Sequence, residues 1–433
     1  MKKSKYNYFV EEAGKVLVFN SLVQTLSVMD RDKFDLLEKE QLENFDCKEL
    51  LVKQGLIVED DVDEDKKALM KYMDVIDDGR IELIILPTMN CNFRCPYCYE
   101  ERENEVMSDE MIDNITKFVQ KRIVGAKGIH VSWFGGEPLV AMSVVEKLSE
   151  KLIRLAKVYK KPYTSSMTTN GYLLTYETFM KLYRKYHVTS YQITLDGREQ
   201  FHNKTRPLAN GAPTYSTILN NLKEIKEKCS SPLIHILLRS NLTKDTIEDV
   251  GNQIKELEDV FGGDDRFSVL FKKVGNWGGD SVNEIKDELI SSEDGWLEKI
   301  TDIDTKLNIE GRYQFFENFN VCYAAQRGTY TIGPDGKVMR CTVNLDNKLN
   351  ELGRIGEKGE FIKNESNYLK WQYPALPGSV KMEKCSECRL YANCFGITCP
   401  MNMVHDDIAV DCDDKEGELI GMHNAYPELF TEI

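Results

Sequence analysis

No stretch of this chain is apolar for long enough to cross a bilayer, and its charge is not arranged to meet a polyanion. Runs such as "IELIILP" stop far short of the roughly 20 residues a membrane helix needs. Asp and Glu outnumber Lys and Arg by 71 to 56, a formal net charge of −15. That excess opposes docking on nucleic-acid phosphates or on anionic lipid, which call for basic surface, so neither nucleic acid nor membrane is expected as a partner. The start, "MKKSKYNYFVEEAGK", is basic but has no apolar core behind its lysines, so no secretory signal is expected and the expected location is cytoplasmic. Internal repeats and low-complexity tracts are absent. Histidine is scarce, with 6 in 433 residues, and His130, His187, His235, His405 and His423 suggest only packing or surface roles.

What the chain does have is cysteine, 12 in all. A reducing compartment does not favour a disulfide framework, so clustered thiols point to metal or redox chemistry. Cys91, Cys95 and Cys98 stand in C-x3-C-x2-C spacing just after "IELIILP". Seven more crowd the last third: Cys322, Cys341, Cys385, Cys388, Cys394, Cys399 and Cys412. Cys47 and Cys229 lie in helical segments among apolar neighbours and read as buried and inert.

The pattern divides the chain into three parts. Residues 1–76 read as a small separate α+β unit: alternating strands around Gly14, a helix opened by Asp30, and a helix ended at Gly55. The run "EDDVDED" at 59–65 reads as a solvated edge. From 77 to 305 strand and helix alternate. The strands are "IELIILP", "GIHVSWFG", "YTSSMTT", "SYQITLD", "LIHILLRS" and "RFSVLFKKV"; the helices lie near 108–124, 141–159, 175–186, 214–228, 245–260 and 281–300. Repeated βα units imply a parallel α/β sheet with reactive groups at the C-terminal ends of its strands, as an open sheet or a partial barrel. Residues 306–433 break the pattern: "TYTIGPDGKVMRCTV" reads as a hairpin turning at Pro334, Asp335 and Gly336, followed by short elements and cysteines.

A structural zinc site uses four protein ligands. Three thiolates leave one metal corner open, or await a distant histidine. Further motifs stand at later strand ends: "FGGEP" (Phe134–Pro138), "TTNG" (Thr168–Gly171), "TLDG" (Thr194–Gly197) with "FHNKTR" after it, and "LLRSN". Together these residues resemble the radical S-adenosylmethionine (SAM) superfamily. The resemblance implies a partial (β/α)6 barrel and a [4Fe-4S] cluster held by Cys91, Cys95 and Cys98, with one iron open to S-adenosyl-L-methionine. It implies that Tyr97 contacts adenine and that Gly135, Gly136 and Glu137 hold the methionine amino group. It gives pocket positions to Thr168, Thr169, Asn170, Thr194, Asp196 and Arg206, and the SAM carboxylate to Arg239, whose planar fork suits one. His202 reads as a structural hydrogen-bonding residue.

The later cysteines, with C-x2-C-x5-C-x4-C at Cys385–Cys399, resemble the SPASM domain of peptide and protein maturases, although the last gap is longer than the usual three residues. A zinc ribbon would use four of the seven. Carried over by position, Cys385, Cys388, Cys394 and Cys412 bind a distal auxiliary [4Fe-4S] cluster. Cys322, Cys341 and Cys399 bind a nearer one, which makes three clusters in all. Some relatives carry a further cysteine where this chain has Gly328, so the nearer cluster is expected to keep an open iron that a substrate thiol fills.

The first 76 residues resemble the winged-helix-like recognition element of ribosomal-peptide maturases, which binds a leader peptide on a sheet edge. The resemblance implies an enzyme that generates a 5′-deoxyadenosyl radical and cross-links a precursor peptide, served by a one-electron reductant such as flavodoxin or ferredoxin. A sactipeptide- or ranthipeptide-type thioether is the expected product. Carbon–carbon cross-linking and anaerobic-sulfatase-maturase-like protein oxidation are the enzymatic alternatives, and a zinc-binding peptide adaptor is the non-enzymatic one.

Overall fold

A computed structural model describes residues 1–275, 281–291, 296–301, 303, 305–311, 314–317, 319, 321–372, 383–405 and 415–433. The chain forms two compact units: Met1–Asp78 with Tyr313–Arg327 and Leu369–Ile433, and Gly79–Arg312 with Gly328–Tyr368. The segment read as the C-terminal domain thus contributes to both.

In the first unit, β1 (Lys2–Lys3) pairs antiparallel with β5 (Ile57–Val58). The strands β2 (Asn7–Glu12), β3 (Lys15–Asn20) and β4 (Thr25–Asp30) form an antiparallel meander. Three helices follow in the chain, α1 (Arg31–Glu38), α2 (Lys48–Lys53) and α3 (Glu64–Ile76). The consecutive apolar residues Val16, Leu17, Val18 and Phe19 of β3 are all fully buried, so both faces of this sheet are covered. One face meets Phe34, Leu37 and Leu51 of the unit's own helices. The other meets Phe315, Phe316, Leu419 and Met422. The first 78 residues therefore do not stand alone: a long apolar strand needs a second layer, and distant sequence supplies it. A short strand, Thr431–Glu432, also pairs with β4.

The acidic run at 59–65 is not merely a solvated edge. Asp63 caps α3, accepting from Lys66 N at 3.0 Å, as an N-cap aspartate does. Glu64 is buried and accepts from Ser4 Oγ at 2.5 Å and Lys5 N at 3.1 Å.

In the second unit the strands are β6 (Ile81–Ile85), β7 (Ile129–Trp133), β8 (Tyr163–Thr169), β9 (Val188–Thr194), β10 (His235–Leu242), β11 (Phe267–Lys273) and β12 (Asn308–Ile309). They lie side by side in chain order, every pair parallel. The connections carry α4 (Asp109–Gln120), α5 (Met142–Tyr159), α6 (Tyr176–Tyr186), α7 (Glu199–Thr205), α8 (Tyr215–Lys228), α9 (Lys244–Glu248) and α10 (Val250–Phe261). This is the expected α/β core. Past β6 the sheet continues with β13 (Thr329–Ile332), parallel to β6. The antiparallel strands β14 (Lys337–Met339), β15 (Glu351–Ile355) and β16 (Phe361–Lys363) complete it.

Two helical expectations change. Residues 199–205 form α7, which periodicity over so short a span does not reveal. Among the described residues, the single helix expected at 281–300 is instead a 3-10 segment, Ser281–Glu288, with a non-helical Ile285, and a short helix, Trp296–Thr301; Ser291, just past the first segment, favours turns over helix.

Gly328 sits where β13 starts against β6: Glu82 N donates to its carbonyl at 3.0 Å. A Cβ there would fall well inside the Arg80 carbonyl oxygen. Gly328→Ala is expected to destabilise the apo protein by about 1–3 kcal/mol, the scale of overpacking. Gly251→Ala, in open space on α10, is expected to be neutral or stabilising by up to about 1 kcal/mol. Guanidinium unfolding under reducing conditions measures both; equal effects would contradict the packing assigned to Gly328.

Candidate active site

The C-terminal ends of the parallel strands converge on a cavity of about 170 Å3. Cys91, Cys95 and Cys98, on the loop leaving β6, all line it. Main-chain bonds hold that loop: Cys98 N to Cys95 O at 3.3 Å, Arg94 N to Pro207 O at 2.9 Å and Ala209 N to Asn92 O at 2.8 Å. Phe93 N donates to Cys91 Sγ at 3.4 Å. Burial pushes the Cys91 thiol up to about 12, with the Glu137 charge adding to it, and Cys98 up to about 11, with Glu100 adding. Cys95 is raised by burial as well. Among the described residues no three Cys, His, Asp or Glu side chains are gathered to hold one metal ion. The three thiols instead border a shared space, which suits a body of several atoms.

The glycine turn after β7 closes one wall. Gly135 has φ +80°, and a Cβ on Gly136 would overlap the Asn90 carbonyl, so only glycine lets the backbone come this near. Glu137 N donates to Asn90 O at 2.9 Å. The Glu137 carboxylate accepts at Oε1 from Leu139 N (3.0 Å) and Thr169 Oγ1 (2.7 Å), and at Oε2 from Asn170 N (2.7 Å). Asn170 Nδ2 in turn donates to Asn92 Oδ1 at 2.7 Å. The loops after β6, β7 and β8 are thereby one hydrogen-bonded frame. Burial raises the Glu137 carboxyl against these donors. Glu100, on the same wall, is pushed by burial to about 7, against the Gly136 N–H and with the Glu137 charge.

The opposite wall carries positive charge. Arg206, Arg239 and Lys273 line it. Tyr97 donates to Asp196 and accepts from Arg206 Nη1 at 2.8 Å. Asn241 N and Nδ2 donate to Asp196 Oδ1 at 2.8 and 3.1 Å, and Arg206 Nη1 stands 4.0 Å from Asp196 Oδ2. Burial raises the Asp196 carboxyl against the pull of Arg206. Arg239 Nε donates to Asn241 Oδ1 at 2.9 Å. His202 lies behind this wall. Asp196 N donates to its Nδ1 at 3.2 Å, which puts the ring proton on Nε2, 3.1 Å from Thr214 Oγ1. Burial, with the Arg206 charge, holds His202 well below its ordinary pKa.

Of the residues expected at the cofactor, Tyr97, Gly135, Gly136, Glu137, Thr168, Thr169, Asn170, Thr194, Arg206 and Arg239 line this cavity with the three cysteines. Asp196 does not border it but anchors Tyr97 and Asn241. Sequence reasoning passed over Glu100, Gln192, Asn241 and Lys273, which also line it. Asn241 closes the run "LLRSN" and Glu100 follows Cys98 by two positions, so position next to a motif was the available signal.

The later cysteines divide between the units: Cys322, Cys385, Cys388, Cys394 and Cys399 belong to the first, Cys341 to the second. Cys412 lies outside the described residues. No described cysteine is in a disulfide. Cys385 and Cys394 both act on the Tyr391 phenol, pushed to about 12 by burial first and then by Tyr72 and these thiols. Cys341 accepts from Val343 N at 3.4 Å, the arrangement seen at Cys91, and Asn350 fixes its backbone at 2.8 Å on each side. Cys229 is buried at the end of α8, whereas Cys47 is half-buried ahead of α2.

Residues 85–254, which include this frame, match the family model described as the Radical SAM superfamily. The chain contains a radical SAM domain. It is 30% identical over 137 residues to a serine-type anaerobic sulfatase-maturating enzyme of Klebsiella aerogenes, a match covering 30% of this chain and 33% of that protein. The chain thus spans about a third of the length of that curated relative. The structure resembles anSMEcpe with bound AdoMet and Kp18Cys peptide, at TM-score 0.59 and 20% identity over 81% of this chain and 98% of that one. It also resembles Streptococcus suis SuiB bound to precursor peptide SuiA, at TM-score 0.50 and 15% identity over 95% and 98%. At these identities the two structures speak for the fold. No described helix is long and apolar enough to cross a membrane.

His202 generates a pH test for the radical SAM domain. An unfolded histidine takes a proton near pH 6.5, while folded His202 stays neutral well below that. The unfolded state therefore binds more protons, and stability falls as pH drops below about 6.5, by up to about 1.4 kcal/mol per pH unit. In His202→Gln the loss of stability between pH 7 and 5.5 is expected to shrink by up to that amount. Parallel unfolding curves for the two proteins would show that His202 is not held neutral.

Proposed function

We propose that the protein is a radical SAM enzyme that cross-links a ribosomally made precursor peptide. One observation carries this reading. Three thiols, Cys95 buried and Cys91 and Cys98 half-buried, line one cavity with carboxylates and guanidinium groups, on a radical SAM domain. The residues fit the cofactors. Thiols at Cys91, Cys95 and Cys98 suit an iron–sulfur cluster with one open iron. The opposed walls suit a zwitterionic amino acid moiety such as the methionine part of SAM. Buried atoms without partners, Glu100 Oε2 and Arg206 Nε, have the polarity such a ligand satisfies.

When bound, the cluster and SAM supply an electron and a 5′-deoxyadenosyl radical able to take hydrogen from an unactivated carbon. The chain's own part is to orient and enclose. Arg206 and Arg239 offer donors to a carboxylate. Tyr97, fixed by Asp196 and Arg206, supplies an aromatic wall for a purine. The Glu137 frame keeps the glycine turn in place. Auxiliary clusters at Cys385, Cys388, Cys394 and Cys412, and at Cys322, Cys341 and Cys399, remain part of the proposal as what the SPASM resemblance implies. A thiophilic open iron among them favours a thioether from a substrate cysteine.

The peptide reading draws support from SuiB, whose structure holds a precursor peptide, and from anSMEcpe, whose structure holds a peptide. Among the described residues the four-stranded sheet of the first unit ends at Thr431–Glu432 on one side and at β2 on the other, and β2 is the longer edge for a leader strand. A flavodoxin- or ferredoxin-type reductant and a cytoplasmic setting complete the proposal. The sulfatase-maturating relative favours a second reading, oxidation of a protein side chain.

The test is anaerobic reconstitution with iron, sulfide and zinc counted per chain. About twelve irons are expected, falling to about eight when Cys91, Cys95 and Cys98 are all changed to Ala, with release of 5′-deoxyadenosine from SAM lost. A colourless, zinc-loaded protein would sink the reading. With peptide, thioether formation consumes a thiol that iodoacetamide would otherwise label, whereas side-chain oxidation leaves the thiol and creates a carbonyl that a hydrazide captures.

A further inference from the structure

The hydrogen-bonded frame satisfies its two carboxylates unequally. Glu137 has donors on both oxygens, three in all, every one from the loops it joins. The Gly136 N–H acts on Glu100, but its Oε2 is shielded from water and has no partner. A buried carboxylate oxygen without a donor is costly, and such a group in a native structure marks a ligand or a function. Glu100 borders the cavity together with Cys91, Cys98 and Gly136. The charged neighbour that acts on it is another carboxylate, Glu137. Arg102 donates to Cys95 O at 3.3 Å and Arg206, just after α7, to Tyr97 at 2.8 Å, and neither bond reaches Glu100 Oε2.

We propose that Glu100, rather than Glu137, accepts a hydrogen bond from the amino group of the methionine part of SAM. Glu137 is then a positioning residue, holding the glycine turn against Asn90 and the end of β8, and Glu100 is the carboxylate that touches the cofactor. This inference rests on the SAM site proposed above.

Binding, not turnover, tests it. Wild type, Glu100→Ala, Glu100→Gln and Glu137→Gln are loaded with iron and sulfide, and their iron content is measured to confirm the cluster. Dissociation constants follow by anaerobic equilibrium dialysis for SAM and for its analogue with hydrogen in place of the amino group. In Glu100→Ala, SAM is expected to bind at least tenfold more weakly, while the analogue changes less than twofold. Glu100→Gln, whose amide oxygen still accepts, falls between, and it carries the test should the alanine variant take up less iron. Glu137→Gln weakens both ligands alike, because it acts through the frame. Equal losses for the two ligands in the Glu100 variants, or no loss, would overturn the assignment while leaving the SAM site intact. A wild type that takes up iron but binds neither ligand would overturn the SAM reading itself.

Discussion

The candidate site depends on one buried carboxylate tying three loops together. Glu137 leaves β7, yet its oxygens are held by Thr169 and Asn170 beyond β8, and its backbone by Asn90 beyond β6. Parallel strands bring their C-terminal ends side by side but do not fix the loops that follow. Asn170 already ties the "TTNG" segment to the cysteine loop through Asn92, and the Glu137 carboxylate adds the bonds that bring the glycine turn into the same frame. Burying that charge is expensive and is offset only because every lone pair facing protein has a donor. The same principle works on the other wall, where Asp196, Arg206 and Tyr97 neutralise one another.

The two walls give the cavity a direction. Glu137 and Glu100 stand by the glycine turn, while Arg206, just after α7, and Arg239, on β10, line the cavity from further along the sheet, with the Arg206 charge still felt at Cys95. In a water-poor space such charges act more strongly than at the surface, so a ligand carrying both an amine and a carboxylate has one preferred orientation. Orientation of this kind is what the protein contributes when a cofactor carries the chemistry.

Much of this was legible in the sequence because it is local. Six of the parallel strands are short runs readable from sequence, five of them ending in motif residues, and "YTSSMTT" matches β8 residue for residue. The cavity-lining residues fall at those strand ends, where the topology of parallel sheets collects them. What was not legible depends on distance along the chain. That β3 is covered on one face by Phe315, Phe316, Leu419 and Met422 cannot be read from β3 itself, although four consecutive apolar residues hinted that both faces were buried. The acidic run hid a capping Asp63 and a buried Glu64 because charge alone does not say which carboxylate finds a donor. Glu100 was passed over for the same reason: its interest lies in a missing partner, which only coordinates reveal.

Gly328 joins the local and the distant. Some relatives of the resembled SPASM type carry a cysteine at the corresponding place, and its absence here reads at first as the loss of a ligand. In the fold, the residue lies where β13 first pairs with β6, so close to Arg80 that no side chain fits without moving the backbone. A cysteine at 328 would require the Arg80 carbonyl or the start of β13 to shift. The departure from the family pattern is therefore built into the sheet.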